Sequence, residues 1–137
     1  MKTLFTADAV SKGARSGTVH SADRLLNITL GNRLEKGLEK RGPNSELLFA
    51  DAYSACCHGS LGNAAKRLGT PVHDSTVRAL VSLIEDDADG YRLAVGLQSQ
   101  LPGIERAQGQ RIMELAHQTS PYSKALRGDA VVTLTVD

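Results

Sequence analysis

Apolar and polar positions along the 137-residue chain follow two rhythms. Leu26, Ile28 and Leu30 alternate with polar neighbours, the period-two signature of a half-buried strand. Lys2 to Val10 supplies a candidate first strand, Ser11 to Gly17 reads as a loop, and Thr18 to Ser21 is expected to pair with one of the strands beside it. A charged, glycine-punctuated crossover ends at Pro43, and there the rhythm changes. From Ser45 to Lys66 apolar residues fall nearly all round the helical wheel: Leu47, Leu48, Phe49, Ala52, Tyr53, Ala55, Leu61 and Ala64. Such a helix is expected to be buried on every side. Period two then returns. Val77, Ala79, Val81 and Leu83 make one strand face and Tyr91, Leu93, Val95 and Leu97 another, joined by an Asp86-Asp87-Ala88-Asp89-Gly90 turn into a long hairpin. Pro102-Gly103 introduces a second helix to about His117, and Val132, Leu134 and Val136 form a closing strand. The order predicts an α+β fold in which sheets cover one or two central helices.

Length predicts a single domain over residues 1–137, large enough for one core. The net charge is +1, from 16 basic and 15 acidic residues with no long run of either sign, so neither nucleic acid nor an anionic membrane is expected as a partner. The N-terminal segment lacks the apolar core of a signal peptide, and no stretch approaches the roughly 20 apolar residues of a membrane span. A cytoplasmic protein is the expectation. The chain has two cysteines, Cys56 and Cys57, and as neighbours they cannot frame a secreted disulfide scaffold.

Cys56 sits in the middle of the apolar helix, where a thiol is either inert packing or a sheltered nucleophile. Glu46 opens the same helix, Arg15 lies on the glycine-flanked loop, and a Ser120-Pro121-Tyr122-Ser123 turn follows the second helix. His58 and His117 invite a metal reading beside the cysteines. Adjacent ligands on one helix diverge, however, and the spacing matches no common zinc pattern, so no metal is expected.

The segments Asn44-Ser45-Glu46-Leu47-Leu48-Phe49-Ala50, Ala52-Tyr53-Ser54-Ala55-Cys56 and His58-Gly59-Ser60-Leu61 resemble the active-site helix of the organic hydroperoxide resistance proteins, the Ohr branch of the OsmC/Ohr family. The stretch from Ala116 to Ala125 is similar to the family's second signature, and Gly13-Ala14-Arg15-Ser16-Gly17 to its arginine loop. The resemblance runs from about residue 2 to the end. It implies an OsmC/Ohr-like fold, antiparallel sheets wrapped around two central helices in an intertwined homodimer. It also implies an organic hydroperoxide reductase, a thiol peroxidase that reduces alkyl and fatty-acyl hydroperoxides. No bound cofactor is implied. The reductant would be dihydrolipoamide, a lipoylated protein or another small dithiol.

In that reading Cys56 is the peroxidatic cysteine, attacking the distal peroxide oxygen and becoming a sulfenic acid. Apolar burial alone would keep its thiol protonated, and the permanent charge of Arg15, held by Glu46, would counter that. Phe49, Tyr53 and Tyr122 would line an apolar substrate pocket. One inference comes from helix geometry: Glu46 and Cys56 are ten residues apart, about 15 Å along a continuous helix. Either Arg15 bridges a long gap or the glutamate belongs to an antiparallel copy across a two-fold axis; the second arrangement is favoured.

The departures open alternatives. The family's resolving cysteine precedes the Pro-Tyr-Ser triplet, and this chain has Ser120 there. An engineered replacement that traps a state, a natural one-cysteine variant resolved by an external thiol, and a role for Cys57 all compete. The last is disfavoured, because neighbouring helical residues point about 100° apart. Cys57 then reads as core packing and Ser120 as a helix N-cap before Pro121, while the alternative to the site role of Glu46 is an acidic first-turn residue favoured by the helix dipole. A non-turnover hydroperoxide binder or oxidation sensor is the alternative to the enzyme.

Overall fold

The computed structural model describes residues 1–88 and 90–137. Asp89, in the turn predicted between the two long strands, lies outside the described residues. The chain divides into two compact units, Met1–Leu48 and Phe49–Asp137.

The first unit carries a three-stranded antiparallel sheet of β1 (Ala9–Lys12), β2 (Thr18–Ser21) and β3 (Asn27–Thr29), with β2 in the middle. Thr18 to Ser21 thus pairs on both sides, opposite Val10 and Ile28 through His20 and Val19. The first strand is shorter and later than the expected Lys2 to Val10. β2 ends at Ser21, where the Ser21 hydroxyl donates to Asp23 Oδ1 (2.5 Å) and Asp23 accepts from the Leu25 amide, turning the chain away. Among the described residues, those before Ala9 therefore have no strand partner. The expected Ser11 to Gly17 loop shrinks to a turn around a 3-10 segment, Ala14–Ser16. Gly17 is obligatory in that turn, because a Cβ there would overlap the Lys12 carbonyl. The crossover is pinned by backbone bonds from the Leu30 amide to Gly17 O (2.8 Å) and from the Gly31 amide to Pro43 O (3.0 Å).

Helix α1, Ser45–Arg67, begins in this unit and continues into the second. Its start is capped by Asn44, whose side-chain oxygen accepts from the Leu47 amide (2.7 Å). The expectation of burial all round the wheel needs correction. Tyr53, Cys57, Leu61, Ala64 and Ala65 form one buried stripe, whereas Asp51, Ala55, Gly59, Asn63 and Lys66 face outward and Leu47 is 57% exposed. Alanine and glycine add to an apolar count without needing burial.

In the second unit β4 (Thr76–Asp86) and β5 (Gly90–Gln100) form the expected hairpin, with Ala79 opposite Leu97, Val81 opposite Val95 and Leu83 opposite Leu93. Helix α2 (Arg106–Thr119) and the short α3 (Pro121–Leu126) then return the chain so that β6 (Val131–Val136) pairs with β5 in parallel. A parallel neighbour requires a crossover of this length. The core of this unit joins the α1 stripe to Val95, Leu97, Leu101, Ile112, Met113, Ala116 and Val136. α2 approaches the sheet closely at Gly109, where a Cβ would come within 2.9 Å of the Val136 side chain. The architecture is α+β, mixing helices with largely antiparallel sheets. Among the described residues, no helix is long and apolar enough to cross a membrane.

Candidate active site

The chemistry-bearing residues fall into two clusters, one in each unit. In the first, Gly13 and Ala14 adopt positive φ values of 82° and 52°, which tightens the turn and projects Arg15 from the 3-10 segment. Arg15 Nη1 donates to Glu46 Oε1 (2.7 Å), Glu46 Oε2 (3.0 Å) and Ser45 Oγ (2.9 Å). Burial pushes the Glu46 carboxyl up, but the hydrogen bond and charge of Arg15, with the Ser45 hydroxyl, outweigh it and hold the group below its ordinary value. Glu46 stays ionised at neutral pH. All three contacts use one guanidinium nitrogen, so among the described residues Nη2 and Nε have no hydrogen-bond partner. The Arg15 side chain is 48% exposed, which limits the pair's worth to stability to about 1 kcal/mol or less.

The second cluster is built on α1 and the α2–α3 junction. Cys56 is half-buried, and its Sγ lies 3.4 Å from the hydroxyl of Ser120, which is fully buried. Ser120 closes α2 through its amide to Ala116 O and opens α3 before Pro121, as its N-cap reading requires, yet its hydroxyl makes no capping bond. The side chain faces the sulfur instead. One residue on, Cys57 is wholly buried, and burial first, then the neighbouring Cys56, push its thiol up to about 11. The two thiols diverge as helix geometry demands.

Tyr53 and Tyr122 flank Phe49 in an aromatic group with centroid separations of 5.9–6.4 Å. Beside it is an apolar cavity of about 360 Å³ lined by Phe49, Ala52, Tyr122, Ala125 and Leu126. Phe49 and Tyr122 thus border a pocket, and Ala52, one turn before Cys56, puts the thiol's stretch of α1 along it. Tyr53 does not line this cavity. It is fully buried, and its hydroxyl lies 2.6 Å from Ser123 Oγ, which in turn lies 2.8 Å from His117 Nδ1. Burial, with the charges of Cys57 and Cys56, raises the phenol above its ordinary value against the Ser123 hydrogen bond. Burial and then the charge of Arg127 lower His117.

Sequence reasoning weighed His117 as a metal ligand and Ser123 as part of a turn, and did not foresee the chain that both form with Tyr53. Only the contacts reveal the pairing: Tyr53 and Cys56 are three apart on α1, Ser123 and Ser120 three apart across the junction, and the two contacts lie side by side. His58 points elsewhere, 2.9 Å from Ser75 Oγ. Among the described residues no group of three or more metal-binding side chains converges.

The family described as OsmC-like protein matches residues 37–135. Organic hydroperoxide resistance protein OhrA of Bacillus subtilis is 40% identical over 137 residues, covering 97% of this chain and 96% of the relative. The chain belongs to the Ohr branch of the OsmC-like family. Two solved members have the same fold from end to end. The crystal structure of the organic hydroperoxide resistance protein OhrB of Bacillus subtilis aligns with a TM-score of 0.92 at 34% identity, covering 98% of this chain and 100% of that one. That of an organic hydroperoxide resistance protein OsmC from Legionella pneumophila aligns with a TM-score of 0.91 at 32% identity, covering 99% of each.

Proposed function

We propose that this protein detoxifies organic hydroperoxides as a cysteine-based reductase, acting in the cytoplasm. The observation that carries the reading is a half-buried thiol, Cys56, on the stretch of α1 that borders an apolar cavity walled by Phe49 and Tyr122. A cavity of about 360 Å³ with an almost wholly apolar wall suits an alkyl or acyl chain. Near-full-length similarity to proteins named for organic hydroperoxide resistance supports the same substrate class.

In the proposed reaction the Cys56 thiolate attacks the hydroxyl-bearing peroxide oxygen. The O–O bond breaks with its electron pair on the alkoxy oxygen, a proton from water completes the alcohol, and the sulfur is left as a sulfenic acid. Ser120 cannot form a disulfide. An external dithiol, dihydrolipoamide or a lipoylated protein by chemical class, therefore condenses with the sulfenic acid, releasing water and giving a mixed disulfide. Its second thiol then frees Cys56 and leaves as the cyclic disulfide. Arg15 supplies the permanent positive charge, with Nη2 and Nε open to a sulfur or peroxide oxygen, and Glu46 holds it in place. α1 separates Glu46 from Cys56 by ten residues, so the pair is assigned to the Cys56 of a second copy in a homodimer.

The test is consumption of an alkyl hydroperoxide with dihydrolipoamide in excess. Many turnovers are expected, Cys56→Ser should abolish even the first, and Cys57→Ser should leave the rate nearly intact. A single stoichiometric burst would instead identify an oxidation sensor, and equal losses in both variants would remove Cys56 from the chemistry.

A further inference from the structure

Ser120 stands where a thiol would resolve the oxidised cysteine, and its hydroxyl is arranged for something else. The residue is fully buried, and its backbone is fixed on both sides: its amide donates to Ala116 O (2.8 Å) and its carbonyl accepts from the Lys124 amide (3.0 Å). A serine at a helix N-terminus ordinarily turns its oxygen onto the second or third amide of the helix. Here that bond is not made. Cys56 Sγ, at 3.4 Å, is the hydroxyl's hydrogen-bond partner among the described residues.

Building on the peroxidase reading, we propose that Ser120 is a catalytic hydrogen-bond donor to the Cys56 thiolate. When the sulfur is ionised it has no proton to give, so the hydroxyl must be the donor and the contact acquires a fixed direction. A hydrogen bond to the charged form favours that form. The Ser120 hydroxyl thus places a buried donor on the attacking sulfur. The donor is held in register by the neighbouring contact, because Tyr53 and Cys56 on α1 face Ser123 and Ser120 across the α3 start. The titratable groups in electrostatic reach of Cys56 from its own helix are Tyr53 and Cys57. Both are acids that stay neutral at physiological pH, so neither sets a negative charge beside the thiolate, and the Tyr53 hydroxyl is engaged with Ser123. From the α2–α3 junction it is Ser120, which does not titrate, that meets the sulfur.

The experiment reads ionisation without peroxide, so its outcome is independent of whether the peroxidase reading holds. Iodoacetamide alkylation is followed from pH 5 to 11 in the full chain and in Ser120→Ala and Ser120→Gly, with Cys56 separated from Cys57 by tandem mass fragmentation. Loss of a hydrogen bond to a charged group should slow Cys56 alkylation roughly tenfold at neutral pH and move the midpoint of the profile to higher pH. The rates should converge where the thiol is fully ionised. A profile unchanged in both variants, or a loss of the same size at every pH, would overturn the proposal, the latter marking a merely structural role.

Discussion

At the scale of single residues, the site is divided between groups that sequence made conspicuous and groups that only contacts reveal. Arg15 and Glu46 are unremarkable residue types 31 positions apart, yet they form a 2.7 Å ion pair. In the proposed mechanism Arg15 favours the thiolate through charge. Arg15→Ala should slow the first-turnover reaction with hydroperoxide at neutral pH by about ten- to a hundredfold, as expected for loss of a positioned cation. The deficit should narrow as pH rises and the thiol ionises unaided. Stopped-flow traces across pH would check this, and a deficit independent of pH would leave Arg15 with substrate alignment alone.

At the scale of elements, the decisive feature is how the start of α3 is held against α1. The Tyr53–Ser123–His117 chain ties α1, α2 and α3 together with buried polar contacts, two of whose members, Tyr53 and Ser123, are essentially without solvent. Tyr53→Phe leaves the Ser123 hydroxyl with one partner fewer in the interior and is expected to destabilise the protein by about 1–2 kcal/mol, read as a lower chemical-denaturation midpoint. His117 adds a pH signature. Its value in the folded protein lies below the ordinary 6.5, because burial and Arg127 disfavour the charged ring. The unfolded chain therefore takes up the proton first as pH falls, and stability that is complete above about 6.5 is lost on acidification toward the lowered folded value. Thermal unfolding at pH 7.5 and 5.5 should show a smaller drop for His117→Asn than for the native chain. Equal drops would mean that His117 does not contribute to the acid sensitivity.

At the scale of the whole molecule, the proposed homodimer makes a prediction that one chain cannot satisfy. A mixed dimer of a Cys56→Ser chain with a Glu46→Ala chain contains one site with both lesions and one with neither, provided that each site pairs Cys56 from one chain with Glu46 from the other. Co-expressed and purified through two tags, it should regain about half of the native initial burst, whereas neither parent homodimer reacts at the native rate. If each site were drawn from one chain, no intact site would exist and no fast fraction would appear.

Local pattern was sufficient for much of this. Alternation placed β3 and the β4–β5 hairpin, and the helical signal over Ser45 to Lys66 placed α1 within one residue at its end. The flanking residues of Cys56 marked the family and the candidate thiol. What failed locally has a physical reason in each case. β1 shifted because a strand exists only where a partner lies beside it, and β2 ends at Ser21. α1 buries one stripe because small residues tolerate solvent that larger ones would avoid. β6 runs parallel to β5 because the intervening helices carry the chain back across the sheet, which no property of Val131 to Val136 encodes. The roles of Tyr53 and Ser120 were likewise decided in three dimensions. A tyrosine and a serine each have an apolar or capping use and a polar one, and sequence cannot choose between them. Contacts across 70 and 64 residues put the Tyr53 hydroxyl on Ser123 and the Ser120 hydroxyl on Cys56, and tertiary packing made that choice.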